Sequence, residues 1–356
     1  MSETATLGVP SFDVPEDEVY ETFVENGWTD GLPFVVPTRA RIEAMLAGTS
    51  RRRDEIVSIG GKSPLPNRWT FTVEQVGVNA VMSGARPEYF PVILALAASG
   101  YSARGGSTTS FGDIAVVNGP IRHELQMNAG IGAMGPFNHA NLTIAYAWGL
   151  LSRNLMGGAA LGSQYVGSQG NPLMTASPVV PENEERSPWE PFHVEHGWKA
   201  EESTVSVFVG GLTAQFMNTV RQERWRENIA RMLIGMDPHF PPMLVLDPIP
   251  AHEFVERDRA FADKQKLLDW VDEVSVMEAR DFWNNREAQR HLRAPAAAGV
   301  EPWATNWRAL EDDPLRLVHK FDRNRITAVV IGGETAGTWR IFGSRYEGTT
   351  SIDDWR

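Results

Sequence analysis

Two stretches of the chain concentrate side chains that can move protons or hold a polar substrate. The first runs from Asp113 to Asn154. Asn118-Gly119-Pro120 closes an apolar run that reads as a strand, and strand ends are where α/β proteins place ligands. Gly135-Pro136-Phe137-Asn138-His139-Ala140-Asn141 then leads into a helix that Asn138 can cap, and the free N–H groups of that first turn suit an anion. His139 and Thr143, four residues apart, share a helix face. This pattern nominates His139 for proton transfer and Asn118, Asn138 and Asn141 for substrate binding. The competing reading makes Asn138 only a cap and Asn141 only a polar helix residue.

The second stretch is Pro181 to His196, Pro-Glu-Asn-Glu-Glu-Arg-Ser-Pro-Trp-Glu-Pro-Phe-His-Val-Glu-His. It reads as an irregular, solvated loop, in which His193 and Glu195 point to one side and His196 to the other. Nearby carboxylates favour a protonated imidazole and bring His193 into the range of a general acid or base near neutral pH. Glu184 joins it as a catalytic carboxylate, with Glu182 and Trp189 as substrate contacts. An exposed loop histidine can be truncated with little effect on stability, within about 0.5 kcal/mol. Two histidines and a carboxylate also form a ligand set for a divalent zinc, iron or manganese ion, although no helical His-Glu-x-x-His is present. No other cofactor is indicated. Asp30, in Trp28-Thr29-Asp30-Gly31-Leu32-Pro33, is a further catalytic candidate whose bland role is an Asx turn. The two stretches, 113–143 and 181–196, are expected to face one cleft, the usual arrangement for a small-ligand site.

Several chemistries are excluded. The chain has 0 cysteines, so disulfides, thiolate nucleophiles, iron–sulfur clusters and Cys-bound zinc are out. The glycines match neither a dinucleotide fingerprint nor a P-loop, and no Gly-x-Ser-x-Gly elbow occurs. With 33 Lys+Arg against 45 Asp+Glu, a net charge of −12, sequence-independent nucleic-acid binding is disfavoured. The apolar run Phe90 to Ala98 is too short to span a bilayer, and Met1 to Asp13 does not read as a signal peptide, so a cytoplasmic protein is expected.

The elements that must position these residues alternate loosely between strand and helix. Helices are expected over Pro15–Asn26, from Thr38 to Gly48, from a capping box at Thr72-Val73-Glu74-Gln75 to Met82, over Arg86–Ala98 (buried all round), and over Asn138–Asn154. Strands are expected at Ile56–Ile59, Asp113–Asn118, Thr204–Val209, Met243–Leu246, Ile326–Ile331 and Thr338–Phe342. Phe216 to Leu233 spaces like an amphipathic helix with a break, His252 to Asn285 as helical, and Pro295 to Gly299 as a connector. The fold class expected is α/β, with mixed α+β as the alternative: one large domain with a mixed sheet and covering helices over 14–294, a flexible 1–13, and a C-terminal extension, 295–356, packed on the main domain.

Asn26-Gly27-Trp28-Thr29-Asp30-Gly31-Leu32-Pro33, Val117-Asn118-Gly119-Pro120-Ile121, Gly135-Pro136 with Asn138 and Asn141-Leu142-Thr143-Ile144, and Glu182-Asn183-Glu184-Glu185 with Ser187-Pro188-Trp189-Glu190-Pro191 form a set. In these motifs the chain resembles a bacterial family of large proteins associated with UGSC-motif seleno- or cysteine proteins, over roughly residues 20–210. The chain carries His139 where that family's pattern has Arg, and no cysteine before Glu182. The resemblance therefore implies that any thiol or selenol chemistry comes from a partner.

Together these readings favour an enzyme, a hydrolase or lyase, acting on a small organic substrate by His/carboxylate acid–base chemistry. The alternatives are a non-catalytic binding or scaffold subunit of a thioredoxin-like or UGSC-type redox partner, and a metal-dependent oxidoreductase. The expected partners are a small-molecule substrate, with neither nucleic acid nor membrane, and a second copy of the chain (a homo-oligomer) or the redox protein.

Overall fold

A computed structural model of the chain describes residues 9, 11–59, 69–105, 111–156, 170, 171, 173, 178–217 and 219–356. The chain has a mixed α/β fold and divides into two compact units. The first holds Met1–Pro181, His196–Val209 and Glu347–Arg356; the second holds Glu182–Glu195 and Gly210–Tyr346, so Pro295 lies inside it.

In the first unit α1 (Val19–Glu25), α2 (Arg39–Leu46), β1 (Ile56–Ile59), β2 (Thr70–Thr72), α3 (Val73–Met82), α4 (Phe90–Ala98), β3 (Arg104–Gly105), β4 (Phe111–Gly112), β5 (Ile114–Asn118), α5 (Ile121–Glu124), α6 (His139–Asn154) and β6 (Val179–Pro181) follow in order. The capping box forms as expected. Thr72 Oγ1 accepts from Gln75 N at 3.3 Å, and Gln75 Oε1 accepts from Thr72 N at 2.9 Å. The apolar run of α4 is buried from Phe90 to Ala97, packing in one core with α3, α6 and β5. Trp148 at the centre of that core donates its Nε1–H to Tyr101 O at 3.0 Å, which satisfies the one polar atom the indole brings inside. All five residues of β5 are buried; it pairs parallel with β6 and antiparallel with Thr204–Phe208. The C-terminal residues are tied in: Ile352 N donates to Ser203 O at 2.8 Å and Thr49 Oγ1 to Trp355 O at 2.6 Å.

Strand β7 (Thr204–Met217) carries the chain from the first unit into the second. The second unit then contains α7 (Phe192–Glu195), α8 (Trp225–Ile234), β8 (Pro242–Leu246), α9 (Pro248–Arg257), α10 (Lys264–Val274), β9 (Val276–Glu278), α11 (Ala279–Asn284), α12 (Arg286–His291), α13 (Arg293–Ala297), α14 (Trp303–Asp312), β10 (Leu317–His319) and β11 (Thr327–Val330), and β12 (Thr338–Ser351) leaves it. The six-stranded mixed sheet has the order β11-β8-β12-β7-β5-β6, with β8 parallel to β11 and antiparallel to β12. Trp225, Phe254, Phe261, Trp270 and Trp339 form an aromatic core over β8.

Two expectations are corrected here. The amphipathic pattern beginning at Phe216 is not one helix: β7 continues to Met217, and the helix starts only at Trp225. Within β7, Gly210 permits a close backbone approach. Gly210 has φ +142°, and a Cβ there would lie 2.2 Å from Gly343 O, so only glycine lets the strand continue. Pro295 to Gly299 is also more than a connector. Pro295 sits in the first turn of α13, where its missing N–H breaks no helical bond, and Gly299 at φ +82° follows the helix end.

Candidate functional site

The strongest polar constellation lies in the first unit, around Asp30. Gly27 (φ +69°) and Gly31 (φ +91°) shape the loop that presents it. The Asx turn expected for Asp30 is present, with Leu32 N donating to its Oδ1 at 3.3 Å. The carboxylate does more than hold its loop. Arg104 Nη2 donates to Oδ2 at 3.0 Å, and Tyr146 OH donates to Oδ1 at 3.0 Å. The Asp30 and Arg104 side chains are each only 12 % exposed.

Helix α6 delivers the other half of the site. Tyr146, Gly149 and Arg153 stand at i, i+3 and i+7, on one face. A Cβ on Gly149 would come within 3.3 Å of Arg104 Nη2, so the glycine makes room for the guanidinium. Arg153 Nε donates to Gly27 O at 3.1 Å, and Asn154 Nδ2 to Trp28 O at 3.0 Å, which fastens the end of α6 to the Asp30 loop. Burial, together with the Asp30 charge, pushes the Tyr146 phenol well above its ordinary range, so it stays protonated as a donor. Burial pushes the Arg153 guanidinium down from its usual value, with the Asp30 carboxylate opposing. One carboxylate, two guanidinium groups and a phenol can hold an organic anion and pass a proton. Of these residues the sequence reading found only Asp30. The available signal was the seven-residue spacing of Tyr146 and Arg153, which places both on one face of the helix.

The other candidates of this unit are spread over neighbouring elements. His139 is exposed, opens α6, and lies on the Tyr146 face roughly 10 Å along the helix axis. Its ring stands 5.8 Å from that of Tyr89. Asn118 is buried at the end of β5, opposite Thr204. The amides of Asn138 and Asn141 serve the backbone. Asn138 Oδ1 accepts from Asn141 N at 3.0 Å and its Nδ2 donates to Gln126 O at 2.9 Å. Asn141 Oδ1 accepts from Asn128 N at 3.2 Å, and its Nδ2 donates to Asn128 O at 2.9 Å and Ala133 O at 3.1 Å. They hold the Gly/Met-rich loop against the start of α6.

The Glu182–Glu195 candidates belong to the second unit. Here the solvated-loop expectation is corrected. Phe192–Glu195 is a short helix, and Glu182, buried, organises it by accepting from Phe192 N at 2.7 Å. Asn183 N donates to Val330 O at 2.7 Å and its Nδ2 to Gly332 O at 2.8 Å. Glu184 is half-buried in the 3-10 turn Glu184–Arg186. Trp189 is a core residue whose Nε1–H donates to Phe261 O at 2.8 Å. Glu195 Oε2 accepts from Lys264 Nζ at 2.8 Å; burial pushes its carboxyl up, against the pull of Lys264.

His193 is 0 % exposed, and neither ring nitrogen has a hydrogen-bond partner among the described residues. Neighbouring Pro, Glu and Trp residues made the segment look like surface, but the buried Glu182 and the Lys264–Glu195 pair draw it inside. The expected stability effect changes accordingly. His193→Ala should now cost about 2–3 kcal/mol, as cavity creation in a core does. Chemical denaturation measures this, and a change under about 0.5 kcal/mol would restore the exposed-loop picture. Among the described residues no group of three His, Asp or Glu side chains is placed to hold a metal ion, so His193, Glu195 and His196 are not assembled as a ligand set. Nor is any described helix long and apolar enough to cross a membrane.

No protein-family model matches this chain, and no curated protein matches it.

Proposed function

We propose that the chain is an enzyme acting on a small organic anion by acid–base chemistry, a hydrolase or lyase that needs no thiol, with its site at Asp30, Arg104, Tyr146 and Arg153. The observation that carries this reading is the Tyr146 hydroxyl held on the Asp30 carboxylate beside Arg104. The guanidinium groups of Arg104 and Arg153 bind the anionic group of the substrate. When substrate binds, the Tyr146 O–H, kept protonated by its surroundings, turns from Asp30 to the oxygen on which charge develops, and the Asp30 oxygen it leaves accepts the proton released at the reacting centre. Gly149 lets the Arg104 guanidinium lie close against α6.

The test is a screen of small carboxylate esters, amides and β-hydroxy acids, followed by NMR, with wild type against Tyr146→Phe. The phenylalanine variant removes one oxygen and keeps the ring. It should fold, with a loss near 1 kcal/mol, and lose about 10²-fold in turnover with a smaller change in KM. A substrate turned over equally well by wild type and Tyr146→Phe would overturn this assignment.

A further inference from the structure

Helices α11–α14 form a bundle of their own inside the second unit. They pack chiefly on one another and on β9 and β10, around Phe282, Trp283, Leu292, Trp303 and Val318. That core is separate from the aromatic core over β8. The seam where the bundle meets the turn at 237–241 is loosely filled. A cavity of about 270 Å3 lies there, lined by Pro238 and Pro241 from the turn and by Leu292, Pro295 and Trp303 from the helices. Asn285, the cap of α12, reaches across to Asp237, Nδ2 to Oδ2 at 3.5 Å. The rings of His239 and His291 stack across it with centroids 4.2 Å apart and planes 22° apart. Lys320, next to β10, donates from Nζ to Leu233 O at 3.2 Å and Ile234 O at 2.5 Å, at the end of α8.

We propose that this seam is an acid-sensitive latch: the uncharged His239–His291 stack holds α11–α14 against the turn near neutral pH, and protonation of His239 releases the helices. His239 Nδ1 is buried with no hydrogen-bond partner. The ring faces His291 on α12, Arg345 on β12, and Arg325 and Asp322 from the turn before β11. The carboxylates around it are engaged. Asp322 Oδ2 lies 3.3 Å from Arg325 Nε, Glu287 Oε2 lies 3.2 Å from His291 Nε2, and Asp237 Oδ1 accepts from the backbone N of His239 at 2.8 Å. Arg345 has a partner of its own. A proton on His239 would therefore add a buried cation beside a second imidazole, with these acceptors already used. Burial first, then His291, Arg345 and Arg325, push His239 down to about 4, against about 6.5 for a free imidazole. A histidine held below its free value stabilises the closed form above pH 6.5, and that stability is lost as the pH falls toward 4. Lys320 takes no part in this response. Burial pushes it down to about 8, against the pull of Asp237, so it stays charged throughout the acid range.

The experiment is amide hydrogen exchange of the full chain at pH 7 and pH 5, corrected for the intrinsic exchange rates. Proton uptake at His239 should lower the protection of residues 279–312 by about 20-fold between the two pH values. Helices α9 and α10, over the other core, should keep theirs. His239→Phe keeps a ring against His291 and His239→Gln keeps a polar side chain; neither takes up a proton, so each should lose less than about threefold over 279–312. Protection at pH 7 shows which of the two variants is folded, and one folded variant is enough to decide. Equal protection of wild type at both pH values, a loss spread evenly over the second unit, or a loss of wild-type size in a folded His239 variant would overturn the latch.

Discussion

Asp30→Asn is expected to lower the unfolding free energy by about 3–5 kcal/mol, the loss typical of breaking a buried charge pair from one side. The Asp30 and Arg104 side chains are each 12 % exposed, so little water is available to take over from the carboxylate. An asparagine keeps the shape of the loop and the acceptor for Leu32 N, which is 3.3 Å away. It keeps the oxygen to which the Tyr146 hydroxyl donates, but it removes the charge that Arg104 Nη2 faces at 3.0 Å and sets an amide NH2 against that guanidinium. The variant Arg104→Gln should show a comparable loss. Because the two act on one contact, the double variant should lose clearly less than the sum, with an interaction energy of about 1–3 kcal/mol. Urea unfolding of the four proteins gives the cycle. Strict additivity, or a single-variant loss below about 1 kcal/mol, would mean that the pair is a surface contact of little energetic weight. Activity on any substrate found should fall with Asp30→Asn beyond what its stability explains at a temperature where it is fully folded.

How far this arrangement was legible in the sequence depends on how local its causes are. The caps at Thr72 and Asn138 rest on residues three positions apart, and both formed as the spacing demands. Buried α4 announces itself by nine consecutive residues with no polar side chain. The Asx turn of Asp30 needs only Leu32, two residues on. Its side-chain partners are 74 and 116 residues away, at Arg104 and Tyr146, and no periodicity within a window reaches that far. His193 failed for the same reason in reverse. Its composition is that of a surface loop, and the burial comes from Lys264, 69 residues beyond Glu195. The course of β7 past Gly210 is equally non-local, because the close approach that requires glycine there is set by the backbone at Gly343 O.

Gly119→Ala is expected to be the most damaging single methyl in the first unit, at about 4 kcal/mol or more. Asn118-Gly119-Pro120 reads as a ligand turn at a strand end, yet the backbone explains its middle residue without a ligand. Gly119 has φ +83°, a conformation that costs an L-residue with a Cβ roughly 1–2 kcal/mol. A Cβ there would also lie 2.2 Å from Glu202 O and 3.0 Å from Ser203 Cα, both backbone atoms that no rotamer change can move. Ser203 is fixed from several sides. Its N donates to Asp353 Oδ2 at 2.8 Å, its Oγ accepts from Ile121 N at 3.2 Å, and its O accepts from Ile352 N at 2.8 Å. Relief would therefore mean shifting the start of β7 and the C-terminal residues together, which places the cost among the exceptional single-residue effects. At roughly 2–4 °C per kcal/mol for a unit of this size, the melting temperature should drop by about 10 °C. Gly119→Asn separates the two causes: asparagine tolerates the positive φ but carries the same Cβ, so it should be nearly as harmful. A Gly119→Asn protein that melts close to wild type would show that the turn has room, and would return Asn118 and its neighbours to consideration as a ligand-binding edge.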